Sequence, residues 1–475
     1  MKTLITPIPL LIAAILAAFA LSQSSNATLW MACLLALPAI VWLAGGHKAP
    51  PVLLWVLGIL WLQTIADVFL ADLTAQPIVD NPAGSAGELA ILFSLCAIGA
   101  IAIGMRGGNR FGQWLFRAKP DAGNVGYANE TRIEIHRLVG CYVGVLVVTQ
   151  ILSFSAQAMP LLLQPIVIIN SLKYVFVYLV AITVLESEQN YFWLLLVAGL
   201  EILTGVIAYF SSYKESIYVI LIALVSSHRP IRIRNLVLSA IALSGVIWLS
   251  LVWTVVKKEY RTVMFDMTFV QKLDYMADKY LEERFDYEDS LQELVRRIGY
   301  TRLYAQVIEM DQVGSLPRGF DYYKNAVWHI LTPRILFTNK AVLNDSKGTE
   351  ELLGMRIAHG TSIGVGYIAQ AHTDFGFPGL LVPLGVIGFL LGLCWQYFVT
   401  RPVPAGLGAA FGVAALFLSF EYDENINKAL GAFFTNWIGL GLILRFGYPA
   451  IRFLLALPPR IGTLPASGPV ARAPS

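Results

Sequence analysis

Between Thr332 and Gly379 the sequence gathers residues able to do chemistry. It reads TPRILFTNK, then a polar run to Arg356, then IAHGTSIGVGYIAQAHTDFGFPG. His329, His359 and His372, half of the chain's six histidines, lie within or just ahead of it, with Arg334, Lys340, Arg356 and Asp374. Histidine titrates near neutrality and a carboxylate can be tuned toward it. His372, His359 and Asp374 are therefore the candidates for taking a proton from an attacking hydroxyl. Arginine offers phosphate oxygens a planar fork, and lysine a compact point charge. Arg334 and Lys340, Arg318 upstream, Lys214 in FSSYKES (residues 210–216) and Arg261 in VVKKEYR (residues 255–261) suit a lipid-linked phosphate or pyrophosphate. Tyr367 lies five residues before His372, loosely on its side of any helix there. Asp374, two residues on, faces elsewhere unless Gly376 and Pro378 rearrange the helix end. A plainer reading stands beside each: interfacial Lys and Arg snorkel to headgroups, and single histidines are often structural.

Metal and nucleotide chemistry find no footing. No HExxH or CxxC occurs, nor a DxD in the loops of this face, so no metal ligand set is expected. No GxxxxGK[ST] loop is present either, which leaves ATP-driven transport by this chain alone unsupported.

The elements that must position these residues are apolar. Of 475 residues, 57% are hydrophobic and 14% charged, with a mean hydropathy of +0.65. Soluble domains carry about a quarter charged residues, so the composition is that of an integral membrane protein. A net charge of +3 is nearly neutral for this length, so nothing suggests a nucleic-acid partner. Cys33, Cys96, Cys141 and Cys394 all fall in apolar segments and read as small core residues. The apolar start is followed at once by further spans, so it reads as a retained first helix rather than a signal peptide.

A hydrocarbon core of ~30 Å needs about 20 apolar residues in a helix. Such segments fall near 4–22, 27–45, 51–70, 87–104, 137–157, 163–185, 191–210, 214–227, 236–256, 376–399, 404–420 and 429–447. The expected fold is an all-α polytopic membrane protein with about 12 transmembrane helices and one long outer-face loop of amphipathic helices. Lys2, the GHKAP turn, the loop 105–137, SHRPIRIRN, Arg401 and the tail's Arg452, Arg460 and Arg472 alternate onto one face. Asp72, Asp80 and EYDEN (residues 421–425) fall on the other. By the positive-inside rule both termini are cytoplasmic. Four regions follow: an N-terminal transmembrane bundle of about nine spans (1–256), a periplasmic loop (257–362), about three C-terminal spans (363–447) and a cytoplasmic tail (448–475). The loop's 15 Lys/Arg and 16 Asp/Glu nearly cancel. Leu273, Met276, Tyr280, Leu291, Leu294, Val295 and Ile298 recur at helical spacing, as amphipathic helices capping the bundle would. Asp67, Lys173 and Glu201 lie in or near the bilayer. They read as a proton path, or as a helix-to-helix pair lining a lipid groove.

The exit VKKEYR (256–261), the SSYKES turn, PRILFTNK (333–340) and TSIGVGYIAQAHTDFGFPG (361–379) together resemble bacterial O-antigen and exopolysaccharide repeat-unit polymerases, the Wzy-like proteins. The layout covers most of the chain, and the motifs about fifty residues of it. Ala341 follows Lys340 where the family often has proline. The resemblance implies a metal-independent, cofactor-free glycosyltransferase in the bacterial inner membrane. It would join oligosaccharide units carried on polyprenyl pyrophosphate at the periplasmic face, beside a chain-length regulator and a flippase of the same pathway. On that resemblance Lys257 or Lys258, Arg261, Arg334 and Lys340 grip pyrophosphate and saccharide, and His372, His359 or Asp374 activates the acceptor. An O-antigen ligase shares the chemistry. A flippase or exporter of the lipid-linked unit calls for paired broken segments in corresponding halves, and the sequence has no such symmetry. A structural subunit of a synthesis complex predicts that the outer basic residues tolerate alanine.

Overall fold

Glycine sets the tightest contact of the fold. Gly104, Gly108 and Gly112 on one long helix face Gly385, Gly388 and Gly392 on another, and the two helices run parallel. Lipid supplies no hydrophobic drive for helix association, so small residues that let backbones approach become the means of packing. A Cβ on Gly108 would overlap the carbonyl of Phe389, and one on Gly388 the carbonyl of Ile101.

The computed structural model describes residues 7–78, 86–116, 133–156, 163–187, 190–207, 213–227, 244–245, 248, 250–251, 271, 274–275, 287–316, 321–332, 337, 345–356 and 363–457. Among these residues the regular structure is helical, with no strand. In chain order the helices are α1 (Pro7–Ala20), α2 (Ala27–Leu43), α3 (Pro51–Leu73), α4 (Ala86–Leu115), α5 (Ile135–Ala156) and α6 (Leu163–Ser187). Next come α7 (Phe192–Ile207), α8 (Tyr213–Ser226), α9 (Tyr287–Ile298), α10 (Thr301–Gln312), α11 (Tyr322–Leu331) and α12 (Asp345–Leu353). The series ends with α13 (Tyr367–Phe375), α14 (Leu381–Val399), α15 (Ala405–Leu416), α16 (Ile426–Phe446) and α17 (Tyr448–Leu454).

The protein is a helical membrane protein. Among the described residues, 6 helices (α3, α4, α5, α6, α14 and α16) are long and apolar enough to cross a membrane. The apolar helices α1, α2, α7 and α15 are shorter. The expected span at 236–256 lies almost wholly outside the described residues, as do Leu273, Met276 and Tyr280. One expectation is corrected. Residues 105–115, read as loop, continue α4, so Arg106 and Arg110 ride on its last turns. Glycines and polar side chains end the apolar count at 104, but the glycine seam with α14 carries the helix on. Gln396 Nε2 donates to Asn109 Oδ1 at 2.5 Å near the seam's far end.

The seam gives a stability prediction. Gly108→Ala must move backbone against backbone, at a cost of about 1–3 kcal/mol or more. Gly58 in α3 has nothing within 4 Å of its would-be Cβ. Thermal unfolding in detergent should therefore show a lowered midpoint for Gly108→Ala and none for Gly58→Ala. Equal midpoints for the two would contradict the seam.

Carboxylates at the C-terminal end of α3 tie the neighbouring elements down. Asp72 accepts Ser24 Oγ at 2.7 Å, Asn26 Nδ2 at 2.7 Å and Trp30 Nε1 at 2.6 Å, which fixes the α1–α2 turn. Asp67 accepts Thr301 N at 2.8 Å and Thr301 Oγ1 at 2.6 Å through one oxygen, and its other oxygen is ion-paired with the Arg302 guanidinium at 3.3 Å. A carboxylate here satisfies donors at the start of α10 that have no partner within the helix. Gly299 is required beside it, because a Cβ would run into the Asp67 carboxylate. On α9, Leu291, Val295 and Ile298 pack against Ala66 and Leu70 of α3, as their spacing predicts.

Between α5, α6, α7 and α8 lies a buried polar network. Lys173 Nζ meets Glu201 Oε2 at 3.0 Å, and Ser216 Oγ donates to the same oxygen at 2.7 Å. Tyr142 Oη donates to Glu201 Oε1 at 2.8 Å, and Tyr174 Oη donates to Glu215. Of the two readings the sequence left open, this geometry is a helix-to-helix pair.

Candidate functional site

The site is assembled by α10 and α13 at the end of the bundle where Asp67, Asp72 and the 421–425 loop gather. With Asp67 holding its start, α10 carries Tyr304 and Asp311 seven residues apart, on one face. That face receives His372 from α13. Tyr304 Oη lies 3.1 Å from His372 Nδ1, and Asp311 Oδ2 lies 3.2 Å from His372 Nε2. The short helix α13 owes its position to glycines. Gly366 has φ +89°, and a Cβ there would overlap the carbonyl of Tyr422; Gly376, at φ +64°, ends the helix. Phe93 of α4 stacks on the imidazole at 6.1 Å, and its other ring partner is Phe377 at 3.9 Å.

Burial pushes the His372 imidazole below its ordinary value, while the Asp311 carboxylate pulls the other way. The ring is therefore neutral near pH 7. A neutral ring with Nε2–H donating to Asp311 and Nδ1 accepting from Tyr304 satisfies every partner. Only 3% of the His372 side chain is exposed against 35% of Asp311, so Asp311 is the member of the trio that meets solvent.

Asp374 projects the other way, as two residues of helix require. Its carboxylate accepts Tyr322 N at 3.2 Å and Tyr323 N at 2.8 Å, capping α11. Burial raises its value and the two backbone bonds oppose this. The expectation of Asp374 as proton acceptor is thus corrected to a holding role. Tyr367 is corrected as well: it is fully buried, and its hydroxyl donates to the Phe420 carbonyl at 3.3 Å, so it packs rather than meets substrate.

Two helices beside this trio are shorter than a bilayer core. At 1.5 Å per residue, the 12 residues of α15 reach only ~18 Å of a ~30 Å core. Phe417, at its end, meets Tyr174 edge-on at 4.8 Å. Tyr174 lies ~16 Å along α6 from Leu163. Glu215, at the start of α8, bonds Tyr174, so α8 also begins about halfway down. Lys214, in the first turn of α8, is exposed, with Glu215, Glu421, Asp423 and Tyr218 within electrostatic reach. Its charge is answered by carboxylates, which weakens the expected grip on phosphate.

The 421–425 loop, which the sequence offered only as a marker of side, supplies the acids around Lys214. Burial, reinforced by Asp423, pushes Glu421 up to about 7, with Lys214 opposing. Glu424 is pushed up to about 8 by burial, opposed chiefly by Lys428 at 3.6 Å. A carboxyl raised on folding contributes stability that is full below its unfolded value, near 4.5, and lost as pH rises through about 7 and about 8. The unfolding midpoint in detergent should therefore fall between mildly acidic and mildly alkaline buffer. The paired change Glu421→Gln, Glu424→Gln should flatten that slope, and an unchanged slope would rule the linkage out.

Lys257, Lys258, Arg261, Arg318, Arg334, Lys340 and His359 lie outside the described residues. Gly360-Thr361-Ser362-Ile363-Gly364 fits the Gly-x-Ser-x-Gly spacing, and its first three residues lie outside the described residues. Among the described residues, no three His, Cys, Asp or Glu side chains gather as metal ligands. Sequence reasoning missed Tyr304 and Asp311. Their seven-residue spacing on an amphipathic helix was visible, but not that His372 sits opposite. No family model, curated protein or solved structure matches the chain.

Proposed function

We propose that this protein is a glycosyltransferase that joins oligosaccharide repeat units carried on polyprenyl pyrophosphate, building O-antigen or exopolysaccharide at the periplasmic face of the inner membrane. The observation that carries the reading is the His372 trio: a neutral, pre-oriented imidazole between Tyr304 and the partly exposed Asp311. The motif resemblance over 333–340 and 361–379 supports the same reaction. On this reading about twelve spans with both termini cytoplasmic put the His372 trio at the periplasmic side.

The acceptor hydroxyl oxygen attacks the anomeric carbon of the donor sugar. The bond from that carbon to pyrophosphate oxygen breaks, and polyprenyl pyrophosphate leaves with the electron pair. The hydroxyl proton passes to the Asp311–His372 pair, with Asp311 nearest the solvent side. Arg334 and Lys340, with Lys257 or Lys258, Arg261 and Arg318, hold the pyrophosphate as its charge develops. Chain-length regulator and flippase act as pathway partners.

The test is the size distribution of surface polysaccharide in a strain lacking the protein, complemented by wild type or Arg334→Ala. Single repeat units that only wild type extends support polymerisation. Full-length polymer left unattached to its lipid acceptor points to a ligase. Lipid-linked units trapped on the cytoplasmic side make the protein a transporter, and long chains restored by Arg334→Ala at normal membrane levels remove the role given to that arginine.

A further inference from the structure

Helix α11 divides along its length. Its first turn carries Lys324, ion-paired with Asp321 at 3.1 Å, and exposed Asn325. Its last two turns expose Val327 (53%), Trp328 (67%) and Leu331 (65%) on the face away from buried Tyr322 and Ala326. One helix thus presents a charged end and an apolar end on the same outward side.

What covers the apolar end follows from where α11 lies. It packs along the membrane-spanning α16, and the nearest atom to a Cβ on Gly431 would be His329 Cδ2, at 3.9 Å. Gly431, Ile438 and Leu442 share one stripe of α16, at i, i+7 and i+11. Ile438 and Leu442 are 57% and 50% exposed in a helix long and apolar enough to cross a bilayer, so that stripe faces lipid. The last turns of α11 therefore rest on the lipid-facing side of α16. Gly431 is ~7.5 Å along α16 from Ile426, below the level at which that helix begins. The charged end of α11 is held at α13 by Asp374, toward the surface.

We infer that α11 is seated in the bilayer, with Val327, Trp328 and Leu331 in contact with the hydrocarbon of one leaflet and Lys324 in water. The partner of this face is lipid chain rather than protein. Tryptophan at that boundary, with an apolar ring and one N–H, suits the headgroup level, and the lysine one turn earlier suits the aqueous side. The inference is independent of the reaction proposed above and stands or falls without an activity measurement.

The experiment uses the full chain in lipid nanodiscs, with Cys96 and Cys141 replaced by serine. Nitroxide labels are placed singly through Lys324→Cys, Val327→Cys, Trp328→Cys and Leu331→Cys. Collision rates with oxygen, which partitions into lipid, and with a water-soluble nickel chelate are read by power saturation. The oxygen-to-nickel ratio is expected to be several-fold higher at 327, 328 and 331 than at 324. Nickel reaching 328 and 331 as freely as 324 overturns the inference in favour of an aqueous face. Neither reagent reaching them overturns it in favour of a protein partner. If Trp328→Cys does not yield folded protein, the labels at 327 and 331 decide alone.

Discussion

Replacing His372 by alanine is expected to lower transfer from a lipid-linked oligosaccharide by about 10²–10⁴-fold, the usual worth of a positioned general base. The loss comes from chemistry and not from folding, because α13 remains held by Asp374, Tyr367 and the glycine at each end. Asp311→Asn keeps the side chain's shape and removes the charge that orients the ring and meets solvent. Its deficit should approach that of His372→Ala, while Tyr304→Phe, which loses one hydrogen bond, should cost less. The pH profile separates this from a packing role. Burial lowers the imidazole below its ordinary 6.5, so activity should rise with pH along a limb lying below 6.5 and be flat near 7. Asp311 holds the value up, so Asp311→Asn should move that limb to still lower pH. Proteoliposomes carrying lipid-linked donor, assayed by product ladder, give both readouts. Undiminished ladders from a well-folded His372→Ala protein would leave the trio without a catalytic part.

The second large effect is on stability. Glu201→Ala removes the carboxylate that pairs Lys173 at 3.0 Å and also receives Tyr142 and Ser216. Breaking one side of a buried pair typically costs about 3–5 kcal/mol, because the remaining charge loses its hydrogen-bonded partner away from water. In a bilayer that penalty falls on an ammonium whose side chain is 5% exposed. Restoring neutrality should recover much of it: Lys173→Met added to Glu201→Leu replaces the pair by apolar volume, often at little net cost. Unfolding followed by circular dichroism in detergent should show the single change well below wild type and the double change near it. A single variant as stable as wild type would mean that water or another acid reaches Lys173.

Much of this architecture was legible in the sequence, for a simple reason. A membrane helix announces itself by composition, so the apolar stretches from α1 to α8 and from α14 to α16 coincide with helices to within about five residues, the C-terminal end of α4 excepted. The glycine-rich end of α4 was misread because the signal there is a partner's backbone, which no hydropathy count contains. The site was half legible. His372 stood out by type and neighbourhood, but its partners come from a helix about sixty residues upstream that packs against α4 and is held at its start by Asp67. Asp374 illustrates the opposite failure. A carboxylate two residues from a candidate base looks chemical until the start of α11 is found resting on it. Glu421 and Glu424 were invisible as a site because nothing in EYDEN says that α15 stops halfway across.

The glycine seam has a bearing on how the molecule is made. Asn109 and Gln396, which bond at its far end, are 287 residues apart in the chain. At about 5–20 residues per second, a ribosome delivers α14 some 15–60 s after α4. During that interval α4 stands in the bilayer with its row of bare backbone turned to lipid or to whatever else will shield it. Biogenesis of this protein therefore includes a waiting period, and a step that slows the arrival of the C-terminal third lengthens the exposure of its narrowest surface.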